Sequence, residues 1–85
     1  MKPTVVRYMF DKVEVTVKRD YDGSPYLGFY FSPRRLYVYS NVDNDIDMID
    51  SFFMLSVPKV KNRKEARIYW RQLLAKANNE LAPQQ

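Results

Sequence analysis

The sequence predicts an α+β fold, an antiparallel β-meander of four to five strands with one C-terminal amphipathic helix packed on one face. Two observations predict it. Apolar and polar residues alternate through much of the first 40 positions, and apolar residues then recur at intervals of three and four after position 62. The chain has 85 residues, so we expect a single small domain over 1–81 and a disordered C-terminal tail over 82–85.

The first two strands form a hairpin in the stretch VVRYMFDKVEVTVK, residues 5–18. Folding it back at residues 11–12 collects apolar pairs on one face and mixed, mostly polar pairs on the other. A slip of one residue would destroy this match, so the register is well determined. The predicted apolar pairs are Phe10 with Val13, Tyr8 with Val15, and Val6 with Val17.

The third and fourth strands come from YLGFYFSPRRLYVYS, residues 26–40, with a turn over 32–35. Pro33 at the second position of this turn has the φ that the turn requires, and serine, here Ser32, is common at the first position. The predicted pairing makes one face phenylalanine and aliphatic and the other mostly tyrosine. The pairs are Phe31 with Leu36, Phe29 with Val38, Tyr30 with Tyr37, and Gly28 with Tyr39.

The tyrosine face has two interpretations. Tyr30, Tyr37 and Tyr39 beside Arg34 and Arg35 would form a stacking platform for the bases of a single strand. In the alternative, the C-terminal helix covers this face. Tyrosine also favours strands, and cross-strand aromatic pairs stabilise sheets without any ligand.

An acidic segment follows the fourth strand, with aspartates at alternate positions as in a calcium-binding loop. The rest of that pattern is missing, because Met48 replaces the required glycine and Met54 the required glutamate. We therefore expect no metal site and no cofactor. The aspartates are Asp43, Asp45, Asp47 and Asp50.

The acidic segment is expected to be a solvated connection. Helical spacing of Ile46, Ile49 and Phe53 predicts one short helical turn against the core. The apolar run at 52–57 predicts a fifth strand that ends at Pro58.

The C-terminal third has the clearest helical pattern of the chain. Asn62 with Glu65 three residues later is typical of an N-cap, and an apolar stripe follows. Trp70, the only tryptophan, is at the centre of this stripe, where we expect a core anchor. The stripe consists of Ala66, Trp70, Leu73, Ala77 and Leu81.

The same region is basic. Between Lys59 and Lys76 there are seven positive residues and one negative, a local charge of +6. Clustered charge of this kind attracts a phosphate backbone. The alternative is a solvated face, offset by the acidic segment folding near it. The candidate ridge consists of Lys59, Lys61, Arg63, Lys64, Arg67 and Arg71.

Composition argues against several classes of protein. The chain has no cysteine and no histidine, so it lacks disulfides and the usual general base, and we expect no zinc site. It has only two glycines and shows no phosphate-binding loop. We expect no catalytic residues and no enzyme. No apolar run approaches the length of a membrane span, and we expect a cytoplasmic protein without membrane contact.

Two functions fit these features. The first is a small accessory protein that binds single-stranded DNA or RNA, with the ridge on phosphates and the tyrosines on bases. The second is a protein–protein interaction module, such as a regulatory subunit or inhibitor of a larger enzyme or complex, because tyrosine and arginine are enriched at interface hot spots. A homodimer through an uncovered sheet face or edge is a further option.

Overall fold

A computed structural model describes residues 1–10, 13–31, 36–42 and 44–83, with only the backbone of residues 31 and 36–41. Four antiparallel strands are followed by two helices, and the strands lie in the sheet in chain order. The predicted α+β class is confirmed. The elements are β1 (Val5–Phe10), β2 (Val13–Arg19), β3 (Pro25–Phe31), β4 (Leu36–Asn41), α1 (Ile46–Ser56) and α2 (Arg63–Glu80).

The strand registers agree with the sequence prediction. β1 and β2 pair with Val6 opposite Val17, as the apolar matching requires. β3 and β4 pair with Tyr30 opposite Tyr37. The predicted turns at 11–12 and 32–35 lie outside the described residues.

The loop between β2 and β3 is closed by its own hydrogen bonds. Asp20 N–H donates to the Ser24 carbonyl at 2.7 Å, and Gly23 N–H donates to the Asp20 carbonyl at 2.9 Å. Gly23 has φ of 89°, a left-handed conformation that glycine adopts without steric cost. The D-G step in the sequence therefore marks a real turn.

Both helices pack on the phenylalanine and valine face of the sheet. Val15, Leu27 and Phe29 are fully buried there, and the Phe29 ring centroid is 5.5 Å from that of Phe53 on α1. Successive strand residues point to opposite faces. Tyr30 therefore lies on the face that the helices do not cover, and it is half-buried.

The predicted fifth strand at 52–57 is wrong, because α1 runs without a break from Ile46 to Ser56. The helical spacing of Ile49 and Phe53 continues through the apolar run, and both side chains are fully buried. A short apolar run is compatible with either a strand or a buried helix. Here packing on the sheet selects the helix, so the described residues include two helices where one helix and a short helical turn were expected.

α2 begins and packs as predicted. The Asn62 side chain accepts a hydrogen bond from Glu65 N–H at 2.9 Å, and the Glu65 carboxylate accepts from Lys61 N–H at 3.2 Å. The first bond satisfies one of the amide groups that a helix start leaves unpaired, and the second ties the residue before the cap to the first turn. All five residues of the predicted apolar stripe are buried, including Trp70.

The end of α2 is held by an arginine from the sheet. Arg19 Nη2 donates to the Asn78 carbonyl at 3.0 Å, and its Nε donates to the Ala82 carbonyl at 3.0 Å. Ala82 N–H in turn donates to the Pro3 carbonyl at 2.8 Å. These bonds join both ends of the chain to the end of β2. The predicted disorder of residues 82–85 stays a prediction.

Candidate functional site

A buried carboxylate joins the two helices. Asp50 on α1 has a fully buried side chain, and Trp70 Nε1 donates to its Oδ1 at 2.6 Å. Arg67 Nη2 donates to its Oδ2, also at 2.6 Å. Both carboxylate oxygens are therefore bound by donors from α2, and this pairing fixes α1 against α2.

The environment of Asp50 favours its charged form. Burial alone would raise the pKa of this carboxyl. The hydrogen bonds from Arg67 and Trp70, together with the positive charges of Arg67 and Arg63, outweigh burial and bring the pKa below its ordinary value. The guanidinium pKa of Arg67 is raised, chiefly by the hydrogen bond to Asp50. The pair is thus ionised at neutral pH.

A second aspartate contacts the same arginines from the surface. The Asp47 side chain is 87% exposed, and its Oδ1 is 3.4 Å from Arg67 Nη2 and 3.6 Å from Arg63 Nη1. Arg63 Nη1 also donates to the backbone carbonyl of Asp47 at 2.9 Å. The acidic segment therefore folds against the basic ridge, where Asp47 and Asp50 contact Arg63 and Arg67.

A shallow groove runs along the outer side of α2. Residues 63, 67 and 71 are four apart, so they follow one side of the helix over about 12 Å. Ile68, which is 51% exposed, provides an apolar patch between the charged side chains. The groove is lined by Arg63, Lys64, Arg67, Ile68 and Arg71.

The remaining cations of the ridge make weaker contacts. Lys59 Nζ is 5.2 Å from the centroid of the Tyr69 ring, and the Arg71 guanidinium is 5.6 Å from that of Trp70. Lys61 Nζ donates to the Pro58 carbonyl at 2.8 Å. Contacts of this kind position a cation without neutralising it. These side chains keep their positive charge available at the surface.

The structure brings some of the predicted site residues together and separates others. The six ridge residues lie on α2 or on the segment just before it. Tyr30 is on the opposite side of the sheet from α2. Tyr37 and Tyr39 are described only as β4 backbone, paired with Tyr30 and Gly28. Arg34 and Arg35 lie outside the described residues.

Sequence reasoning missed the roles of Asp47 and Asp50. It treated both as solvated, whereas Asp50 belongs to the core and Asp47 to the edge of the groove. A signal was present for Asp50, which lies between Ile49 and Phe53 on the predicted apolar side of the helical turn. A carboxylate at such a position needs a cationic partner, and α2 offers arginines.

Comparison with known proteins assigns no family. No protein-family model matches the chain, and no curated protein or solved structure is significantly similar to it. In the part of the chain that is described, no helix is long and apolar enough to cross a membrane. No group of three acidic side chains in that part is arranged to hold a metal ion.

Proposed function

We propose that this protein is a small, non-enzymatic nucleic-acid-binding protein whose outer α2 surface contacts the phosphate backbone of single-stranded DNA or RNA. The groove along α2 is the observation that carries this proposal. It combines four cations with one exposed apolar side chain on a single helix. Such a surface binds phosphates through charge and does not select a base sequence.

Two groove cations form no ion pair within the described part of the chain. Among the described residues, no carboxylate lies within ion-pair distance of Lys64 or Arg71. Both are exposed on α2. Because no described carboxylate competes for them, we expect these two side chains to form the main phosphate contacts of the groove.

The tyrosines do not take part in the proposed α2 contact. A strand that follows the α2 groove runs on the side of the molecule opposite Tyr30. Base stacking on Tyr30, Tyr37 and Tyr39 would require the ligand to pass around an edge of the sheet. The stacking role is therefore a second step that the α2 contact does not need.

The test is fluorescence anisotropy of a labelled single-stranded oligonucleotide across a salt series. The wild type should bind at low salt, with affinity falling steeply as salt rises. The double variant Lys64→Ala with Arg71→Ala should bind more weakly, and its slope of log affinity against log salt should be smaller by about one to two. The matched control is Lys2→Ala with Arg7→Ala, which removes the same charge outside the groove and should retain most of the affinity.

A protein partner is the second candidate, favoured by exposed apolar side chains on α1. Leu55 is 80% exposed, and Met48 and Met54 are each more than a third exposed. Exposed apolar groups close to charged ones are typical of protein interfaces. If the wild type shows no salt-dependent binding to any oligonucleotide, the nucleic-acid proposal is wrong and this surface becomes the first to examine.

A further inference from the structure

Asp47 and Asp50 hold the same two arginines in different ways. Asp50 is fully buried and takes a 2.6 Å hydrogen bond from Arg67, whereas Asp47 is 87% exposed and its carboxylate contacts are 3.4 Å and 3.6 Å long. Removing the Asp50 side chain would leave Trp70 Nε1 without its acceptor in the core. The Asp47 carboxylate can rotate into water and leave the fold intact. The Asp50 carboxylate is thus part of the core structure, whereas another anion could replace the Asp47 carboxylate.

We infer that the Asp47 carboxylate occupies a phosphate-binding position formed by Arg63 and Arg67, and that a phosphate group of the ligand displaces it. The ligand class is a phosphodiester or an inorganic phosphoanion. For its physiological ligand this inference rests on the proposed nucleic-acid function. It makes Asp47 an internal competitor that lowers the affinity of the groove.

The arginines remain in place when the Asp47 carboxylate leaves. Arg67 is held by Asp50, and Arg63 by the Asp47 backbone carbonyl at 2.9 Å, a bond that does not use the side chain. Two arginines fixed in this way suit the several oxygens of a phosphate.

The position adjoins the groove. Asp47 lines a neighbouring depression that shares Arg67 with the groove, and its carboxylate is 3.6 Å from Arg63, which also lines the groove. A phosphate at the Asp47 position would therefore be next to phosphates bound by Lys64 and Arg71. A nucleic-acid strand could then bind phosphates through all four groove cations in place of two. Freeing them should increase both the affinity and the number of counterions released on binding.

The test compares Asp47→Asn with the wild type. This variant keeps a side chain of the same shape and removes the charge. We expect it to bind a labelled single-stranded oligonucleotide about threefold to tenfold more tightly at low salt, with a steeper salt dependence. The gain should shrink as salt rises, because the contacts are exposed.

The matched control is Asp22→Asn. It changes the net charge equally, it lies in the β2–β3 loop outside the groove, and asparagine still accepts from Ser24 N–H, which is 2.9 Å from Oδ1 in the wild type. A second probe, inorganic pyrophosphate, is followed through the arginine side-chain resonances in NMR spectra. It should shift Arg63 and Arg67, and at lower concentration in Asp47→Asn.

The outcomes are distinguishable. A gain for Asp47→Asn well above that for Asp22→Asn supports the inference. Equal gains for the two variants, or pyrophosphate binding that leaves Arg63 and Arg67 unshifted, would overturn it. If no variant binds oligonucleotide while pyrophosphate binds Asp47→Asn more tightly, the phosphate position is supported and the nucleic-acid function is not.

Discussion

At the scale of single residues, Asp50 affects both the stability of the fold and the shape of the groove, although no sequence motif marks it. It is a charged group with no exposed side-chain surface, and donors from α2 bind both of its oxygens. Leaving a buried donor or charge without its partner costs far more than the intact pair contributes. The same residue also orients Arg67, which belongs to the groove, so stability and the binding surface share one contact.

Replacing Asp50 should therefore destabilise the fold strongly. We expect Asp50→Ala to reduce the free energy of unfolding by about 2 to 4 kcal/mol, because Trp70 Nε1 loses its acceptor in the core and Arg67 loses its buried partner. Urea unfolding followed by Trp70 fluorescence measures this. Asp47→Ala is the control, since an exposed ion pair contributes at most about 1 kcal/mol. Equal losses for the two variants would contradict the distinction between them.

The lowered pKa of Asp50 gives stability a defined dependence on pH. The native state holds this carboxyl in its charged form to a lower pH than the unfolded chain does, where an aspartate has a pKa of about 3.9. The contribution is therefore complete at neutral pH and is lost as the pH falls through the folded-state pKa. Asp50→Asn should reduce the slope of unfolding free energy against pH below about pH 4. An unchanged slope in that range would show that the contacts of Asp50 do not lower its pKa in the folded protein.

At the scale of elements, the sequence predicted what depends on local pattern and failed where the pattern was ambiguous. The β1–β2 register followed from alternation, and the start of α2 followed from Asn62 and Glu65. The run FFMLSV was compatible with a strand or a helix, and only its packing on Phe29 and the sheet decides for α1. The Asp50 contacts join residues 17 and 20 positions apart, which no local rule reaches.

The N-cap of α2 is testable by itself. Asn62→Ala should reduce the free energy of unfolding by about 1 kcal/mol, because the Glu65 amide loses its acceptor at the helix start. Thermal unfolding by circular dichroism measures the loss. Asn79→Ala, at an exposed site in the last turn, makes the same substitution without a cap and should not destabilise the helix. A comparable loss at both sites would show that Asn62 acts only through general helix propensity.

At the scale of the whole molecule, Arg19 connects the sheet, the β2–β3 loop and the end of α2. It donates to backbone carbonyls of Asn78, Ala82 and Gly23. A cation at this position also complements the negative end of the helix dipole. We expect Arg19→Ala to cost about 1 to 3 kcal/mol of unfolding free energy, measured by urea denaturation. Lys2→Ala, which removes a single exposed bond to the Asn79 carbonyl, should cost much less.

The molecule also has two distinct sides, one formed by α1 and α2 and the other by the sheet face that carries Tyr30. The basic ridge and the tyrosines therefore lie on different sides of the molecule. A short nucleic-acid strand bound in the α2 groove does not reach the tyrosines, because the core lies between them. The sequence could identify both features but not their placement on opposite sides. That placement depends on which sheet face the helices cover.

The most direct test of the central proposal is an NMR titration of the labelled protein with a single-stranded oligonucleotide at low salt. We predict that the perturbed backbone amides cluster between Lys59 and Arg71 and at Asp47, with Tyr26 to Tyr30 of β3 little affected. Perturbations confined to the strands, or none at any concentration, would contradict the assignment of the α2 groove as the nucleic-acid contact.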